Sequence, residues 1–228
     1  MGWHEGPLQS WYDIHEAIRN ELMRIKRLVD EASVADRKQL DALSEEVHFL
    51  ADVLTVHSLA EDGVAFPVMR NHGIEVPPSY SADHHRELST LYAMRATLLE
   101  LRFHDAGQDV APALKRLGVL IDAVGNDLDK HIEAEDGELI PRCEAGMSLE
   151  DQAAMITRMV ADTPAWLAPR LTAWMISNIS MDHRVHLLTG WQETMTPASF
   201  SDTLAMIRAG VEPGLWNELV TAVPALAD

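Results

Sequence analysis

Two stretches of this chain place an imidazole and a carboxylate four residues apart: His57-Ser-Leu-Ala-Glu61 and His131-Ile-Glu-Ala-Glu135. In both, Asp-Gly follows the Glu, and a proline (Pro67, Pro141) stands ten residues after the His. On an α-helix, residues i and i+4 share a face, so each copy aims one nitrogen and one oxygen ligand at a common point. A single His-x-x-x-Glu arises easily by chance. Two copies meeting inside a helix bundle would make a metal site, because burying such groups without a cation or partners is costly.

The elements that would carry these residues are helices. Trp11, His15, Ile18, Leu22, Ile25 and Val29 recur at three- and four-residue spacing, which predicts a first helix over 11–31. A turn is expected at Ala32–Asp36, and a second helix over 38–66 with Leu40, Leu43, Val47, Leu50, Leu54, His57 and Glu61 on one face. Pro67 is expected to stop it, since proline cannot donate the next helical hydrogen bond. Gly73 and Pro77-Pro78 mark a loop. A third helix is expected to open at Ser81 as its N-cap and to carry His85, Leu88, Tyr92, Met94, Leu98, Leu99 and Leu101. After Asp105–Asp109, a fourth runs over 112–140 with Leu117, Ile121, Val124, Leu128, His131 and Glu135, and Pro141 is expected to close it.

The first and third helices echo each other: Asp13-Ile-His15 aligns with Asp83-His-His85, and Ile18 with Leu88. His84 stands beside His85 and would replace it if the helix were rotated, but this alignment favours His85. The unit is thus a helical hairpin used twice. In an antiparallel pair, residues at equal depth lie equally far along the chain from the connecting turn. Residue 36, midway between His15 and His57, falls in the first predicted turn. Residue 71, midway between His57 and His85, falls in the Pro67–Pro78 loop, and residue 108, midway between His85 and His131, falls in the last turn. An up-down-up-down bundle therefore brings four histidines from four helices to one level.

Four imidazoles and two carboxylates form a mixed N/O set suited to iron, manganese or zinc rather than calcium or magnesium. Six ligands exceed the needs of one tetrahedral ion and match two cations sharing Glu61 and Glu135. Open positions would then accept a small ligand such as dioxygen, nitric oxide or peroxide.

The order His15, His57-x-x-x-Glu61, His85, His131-x-x-x-Glu135, with a proline trailing each His-x-x-x-Glu, resembles the hemerythrin-like (HHE cation-binding) proteins. The resemblance covers about residues 11–141. It implies a four-helix bundle with a non-haem di-iron centre, oxo- or hydroxo-bridged, in which Glu61 and Glu135 bridge two iron ions and His15, His57, His85 and His131 are terminal ligands. The oxygen-carrying hemerythrins have a second His four residues further on in the third helix; here Ser89 stands in its place, and in the fourth helix Glu135 stands four residues after His131. That departure implies one nitrogen ligand fewer and favours reaction or sensing at an open position over reversible oxygen carriage. Tyr92, seven residues past His85 on the same face, is a candidate oxygen donor for the gap, with an open position the favoured reading.

Composition agrees with an all-α protein: 47% hydrophobic residues, only 6% aromatic, and no convincing strand pattern. A net charge of −18 argues against nucleic acid and anionic membrane surfaces as partners. One cysteine, Cys143, excludes an internal disulfide framework and, with no visible signal peptide or membrane span, points to the cytoplasm. Residues 142–228 are expected to form an extension of shorter helices, at 149–161, 165–179, 183–195, 199–209 and 215–223, packing on the bundle or mediating association with a second copy or another protein. His183 and His186, three apart there, favour packing over a second site; His4, His48, His72 and His104 lie off the repeated pattern.

Overall fold

A computed structural model describes residues 6–31, 37–104 and 108–223. The turn expected at Ala32–Asp36 lies outside the described residues, as does most of that at Asp105–Asp109. All regular structure among the described residues is helical: α1 (Gln9–Glu31), α2 (Arg37–Ala60), π1 (Glu61–Ala65), α3 (Phe66–Asn71), α4 (Ser79–Arg102), α5 (Ala111–Ala134), π2 (Glu135–Leu139), α6 (Ile140–Gly146), α7 (Leu149–Ala161), α8 (Ala168–Asn178), α9 (Met181–Thr194), α10 (Pro197–Gly210) and α11 (Pro213–Ala222). Among the described residues, no helix is long and apolar enough to cross a membrane.

The chain divides into two compact units, Glu21–Val160 and the pair of segments Met1–Asn20 and Ala161–Asp228. In the first, the second half of α1 joins α2, α4 and α5 in an antiparallel four-helix bundle. Partner numbers run in opposite senses along each contact. Asp52 and Asp62 of the α2–π1 helix meet Arg95 and His84 of α4. Asp127 and Glu100 likewise meet Arg86 and Arg116 across α4 and α5. Arg24 to Glu46 (2.8 Å) and Lys26 to Asp122 tie α1 to α2 and α5 and close the ring. The interior is a heptad seam of buried Leu43, Val47, Leu50 and Leu54 from α2, Leu91, Met94, Leu98 and Leu101 from α4, and Leu117, Ile121, Val124 and Leu128 from α5.

Neither proline stops its helix. The chain passes through a widened π turn and continues as α3 and α6. Pro67 has no N–H for the carbonyl of Gly63, four residues back, and its ring would collide with that carbonyl in a regular α-helix. Opening the turn by one residue resolves both problems: the Phe66 N–H bonds the Glu61 carbonyl, five residues back, and Ile140 does the same to Glu135. The repeated Glu-Asp-Gly-x-x-x-Pro is thus the sequence of a π turn.

In the other unit, the first half of α1 packs with the C-terminal helices. Asn20 Nδ2 donates to the Asn178 carbonyl (2.6 Å) and the Ser180 N–H to Glu16 Oε1 (3.0 Å). His183 Nδ1 lies 2.7 Å from Glu16 and 3.0 Å from the fully buried Asp13, so this histidine packs between α9 and α1. Helices α8 and α10 approach so closely that a Cβ on Gly210 would stand 2.5 Å from that of Ala173.

Candidate metal centre

Glu61 and Glu135 each occupy the first position of a π turn, and both are buried. The wide turn keeps the carboxylate on the inward face at the level of the histidine one turn before it. His57 Nε2 lies 3.0 Å from Glu61 Oε1, and His131 Nε2 lies 3.3 Å from Glu135 Oε1. The two His-x-x-x-Glu faces do meet: ligand atoms of His57, Glu61 and Glu135 lie within 4.8 Å of one another. A second set, Glu61, His84, His131 and Glu135, lies within the same mutual distance and is wholly buried. The two carboxylates belong to both sets.

The histidine that α4 supplies is His84, not His85. His85 is exposed, whereas His84 is 1% exposed and its Nε2 stands 3.0 Å from Glu61 Oε2. The reason is rotation about the α4 axis. The buried residues His84, Glu87, Leu91, Met94, Leu98 and Leu101 form one uninterrupted heptad stripe, which puts position 85 about 100° away from the core. Tyr92 turns outward with His85 and is 61% exposed, so it is no oxygen donor to this site. Ser89 also faces out, its hydroxyl donating to the His85 carbonyl. Ser81, expected as an N-cap, lies inside α4, which opens at Ser79, and its hydroxyl donates to Asp62 Oδ1 instead.

His15 lies on the buried face of α1, in the unit that contains the C-terminal helices.

Two further carboxylates, missed in the sequence, stand behind the histidines. His131 Nδ1 donates to Glu87 Oε1 (2.8 Å), and His84 Nδ1 to Asp62 Oδ2 (3.0 Å). Glu87 is 3% exposed; its signal was its place on the heptad stripe three residues after His84. Phe66 stacks on His84 (centroids 5.8 Å, planes 6° apart), and Tyr80 tilts over His131 at 5.6 Å. These rings wall a pair of imidazoles whose centroids are 4.7 Å apart.

Electrostatics follow from this packing. Burial alone would depress the His84 pKa, but the Glu61 and Asp62 carboxylates on its two nitrogens outweigh it and push it up to about 9. His131, buried between Glu135 and Glu87, is pushed up to about 10 in the same way. Burial and the Glu135 charge raise Tyr80.

The residues fit a divalent cation. The inward Nε2 atoms of His84 and His131 face carboxylates but have no well-directed hydrogen bond, an arrangement that a shared cation completes. The donors are imidazole nitrogens and carboxylate oxygens, the set that first-row transition metals prefer.

No solved structure matches the chain. A BRUTUS-like zinc finger protein of Arabidopsis thaliana is 23% identical over 186 residues, covering 80% of this chain and 15% of that protein. Zinc finger protein BRUTUS of the same plant is 23% identical over 183 residues, 78% of this chain and 14% of its own length. The chain thus spans about one-seventh of these relatives, and the aligned share reaches beyond the bundle into the C-terminal helices. The family model for the hemerythrin HHE cation binding domain matches residues 6–143, which include both π turns and every candidate ligand. The chain is a member of the hemerythrin HHE cation-binding family.

Proposed function

We propose that this chain is a non-haem di-iron protein that binds or reacts with O2, NO or peroxide in sensing, storage or detoxification. Glu61, Glu135, His57, His84 and His131 would hold the metal, with His15 completing the set, and the two carboxylates would be shared between the histidine pairs. The place of His15 rests on the family pattern and on the equal-depth register of the repeated hairpin. One observation carries the reading: the two carboxylates are common to two histidine-containing donor sets. Iron held there supplies redox chemistry and open positions for a diatomic ligand or peroxide. The protein's part is to set the donors, to keep Phe66 and Tyr80 over the imidazoles against bulk water, and to give up the protons on His84 and His131 when a cation enters. The buried, single Cys143 agrees with a reducing compartment, and the cytoplasm is the proposed setting.

An iron-responsive interaction module is the second reading. It is favoured by the compact unit that α8–α11 form with the first half of α1, the helix bearing His15. In that reading, iron occupancy stabilises α1, and the C-terminal helices contact another protein or a second copy.

The test is reconstitution of the metal-free protein with ferrous iron under nitrogen, followed by metal analysis and optical spectra before and after O2, NO and H2O2. Two irons per chain are expected, falling to one or none in Glu61→Ala and Glu135→Ala. A reversible spectral change on adding O2 or NO supports binding, and catalytic loss of peroxide supports an enzyme. Iron content near zero in the wild type overturns both readings.

A further inference from the structure

The Asp that follows each bridging Glu is unexplained by ligation, and so is the buried Glu87. We propose that Asp62 and Glu87 are positioning residues that lock His84 and His131 with Nε2 turned to the metal and strengthen both as donors. The inference rests on the di-iron reading above.

Each imidazole has a carboxylate oxygen beside both of its nitrogens, hydrogen-bonded at Nδ1. His84 has Glu61 at 3.0 Å from Nε2 and Asp62 at 3.0 Å from Nδ1. Adjacent residues of one π turn thus stand at opposite edges of the same ring. His131 has Glu135 at 3.3 Å from Nε2 and Glu87 at 2.8 Å from Nδ1. When a cation takes the Nε2 side, the Nδ1–H bonds survive and fix which nitrogen is free to ligate. Glu87 is no ligand in waiting, because the close-set donors are Glu61, His84, His131 and Glu135, and Glu87 lies on the far edge of the His131 ring. A carboxylate buried at that depth is costly unless paired, and the partner its position provides is His131. Asp62 is set in turn by the Ser81 hydroxyl. The Asp62 side chain is 29% exposed and that of Glu87 only 4%. Water can therefore replace part of what Asp62 does and little of what Glu87 does.

Removing such a partner lowers metal affinity by about 10–100-fold in comparable sites. The experiment titrates wild type, Glu87→Gln, Asp62→Asn and Glu87→Asp with ferrous iron and with zinc against a competing chelator. The zinc-loaded proteins are also examined by proton NMR for the imidazole Nδ1–H resonances. Glu87→Gln is expected to keep two metals per chain, to bind them at least tenfold more weakly, and to move the His131 Nδ1–H resonance upfield. Asp62→Asn should do the same to His84 with a smaller loss of affinity, and Glu87→Asp should recover part of the loss. Unchanged affinity and an unmoved resonance in Glu87→Gln, with two metals in the wild type, overturn this inference alone. Failure of the wild type to bind metal overturns the di-iron reading beneath it.

Discussion

Replacing His84 and His85 separately by alanine tests which face of α4 meets the metal. In metal-free protein, His84→Ala strips a partner from Glu61, which is fully buried, and from Asp62. Breaking a buried pair from one side costs about 3–5 kcal/mol. His57 remains 3.0 Å from Glu61 and offsets part of this, so a net loss of roughly 2–4 kcal/mol is expected. For a chain of this size each kcal/mol lowers the melting temperature by about 2–4 °C, which puts the fall at roughly 4–16 °C. His85 is exposed, and His85→Ala should stay within about 0.5 kcal/mol of wild type. Thermal melting monitored by circular dichroism, run beside iron analysis of reconstituted samples, reads both effects. His84→Ala should also lose iron, and His85→Ala should retain it. A His85 variant that loses iron while the His84 variant melts and loads like wild type would refute the assigned rotation of α4.

Metal-free protein should lose stability as the pH rises through about 9–10, because His84 and His131 have folded-state values above their ordinary one. Their contribution is complete below about pH 6.5 and disappears above the folded values; denaturant melts at pH 6.5, 8 and 10 check it, and a stability unchanged across that range contradicts it. Gly210→Ala should destabilise the unit holding α8 and α10 by about 1–3 kcal/mol, since the new Cβ would meet Ala173 at 2.5 Å; a calorimetric scan identical to wild type would show the helices can part. Cys143 is fully buried, and burial, then the Glu144 charge, push its thiol up to about 12. Its reaction with a thiol reagent at pH 8 should be negligible in native protein and prompt in denaturant, and fast native labelling would contradict that burial.

Much of this architecture was legible in the pattern of apolar residues. The heptad positions of α2 and α5 read directly from Leu40 to Glu61 and from Leu117 to Glu135, and α7 begins and ends where its periodicity does. The α4 face was misread for a definite reason. Matching depth from turn to turn fixes a level along the axis, where neighbouring residues differ by about 1.5 Å. It does not fix rotation, where they differ by about 100°. His84 and His85 satisfy the depth test equally. The stripe of Leu91, Met94, Leu98 and Leu101, extended backwards by sevens, selects His84 and Glu87. Aligning Asp13-Ile-His15 with Asp83-His-His85 obscured it. The prolines misled differently. Proline's missing N–H is a local rule, and tertiary packing of Phe66 and Ile140, both fully buried, holds the helix together beyond it.

That continuity changes what attracts a cation. Had the helices ended at Pro67 and Pro141, the half-negative charge of two helix C-termini would have stood beside Glu61 and Glu135. The helical path instead runs on to Asn71 and Gly146, about 15 Å along the axis from Glu61 and Glu135. A helix-end charge fades within its last turn, and physiological salt screens exposed charge over about 8 Å. The backbone therefore contributes little field at the site. Electrostatic attraction for a cation there comes from the side-chain carboxylates of Glu61, Glu135, Asp62 and Glu87.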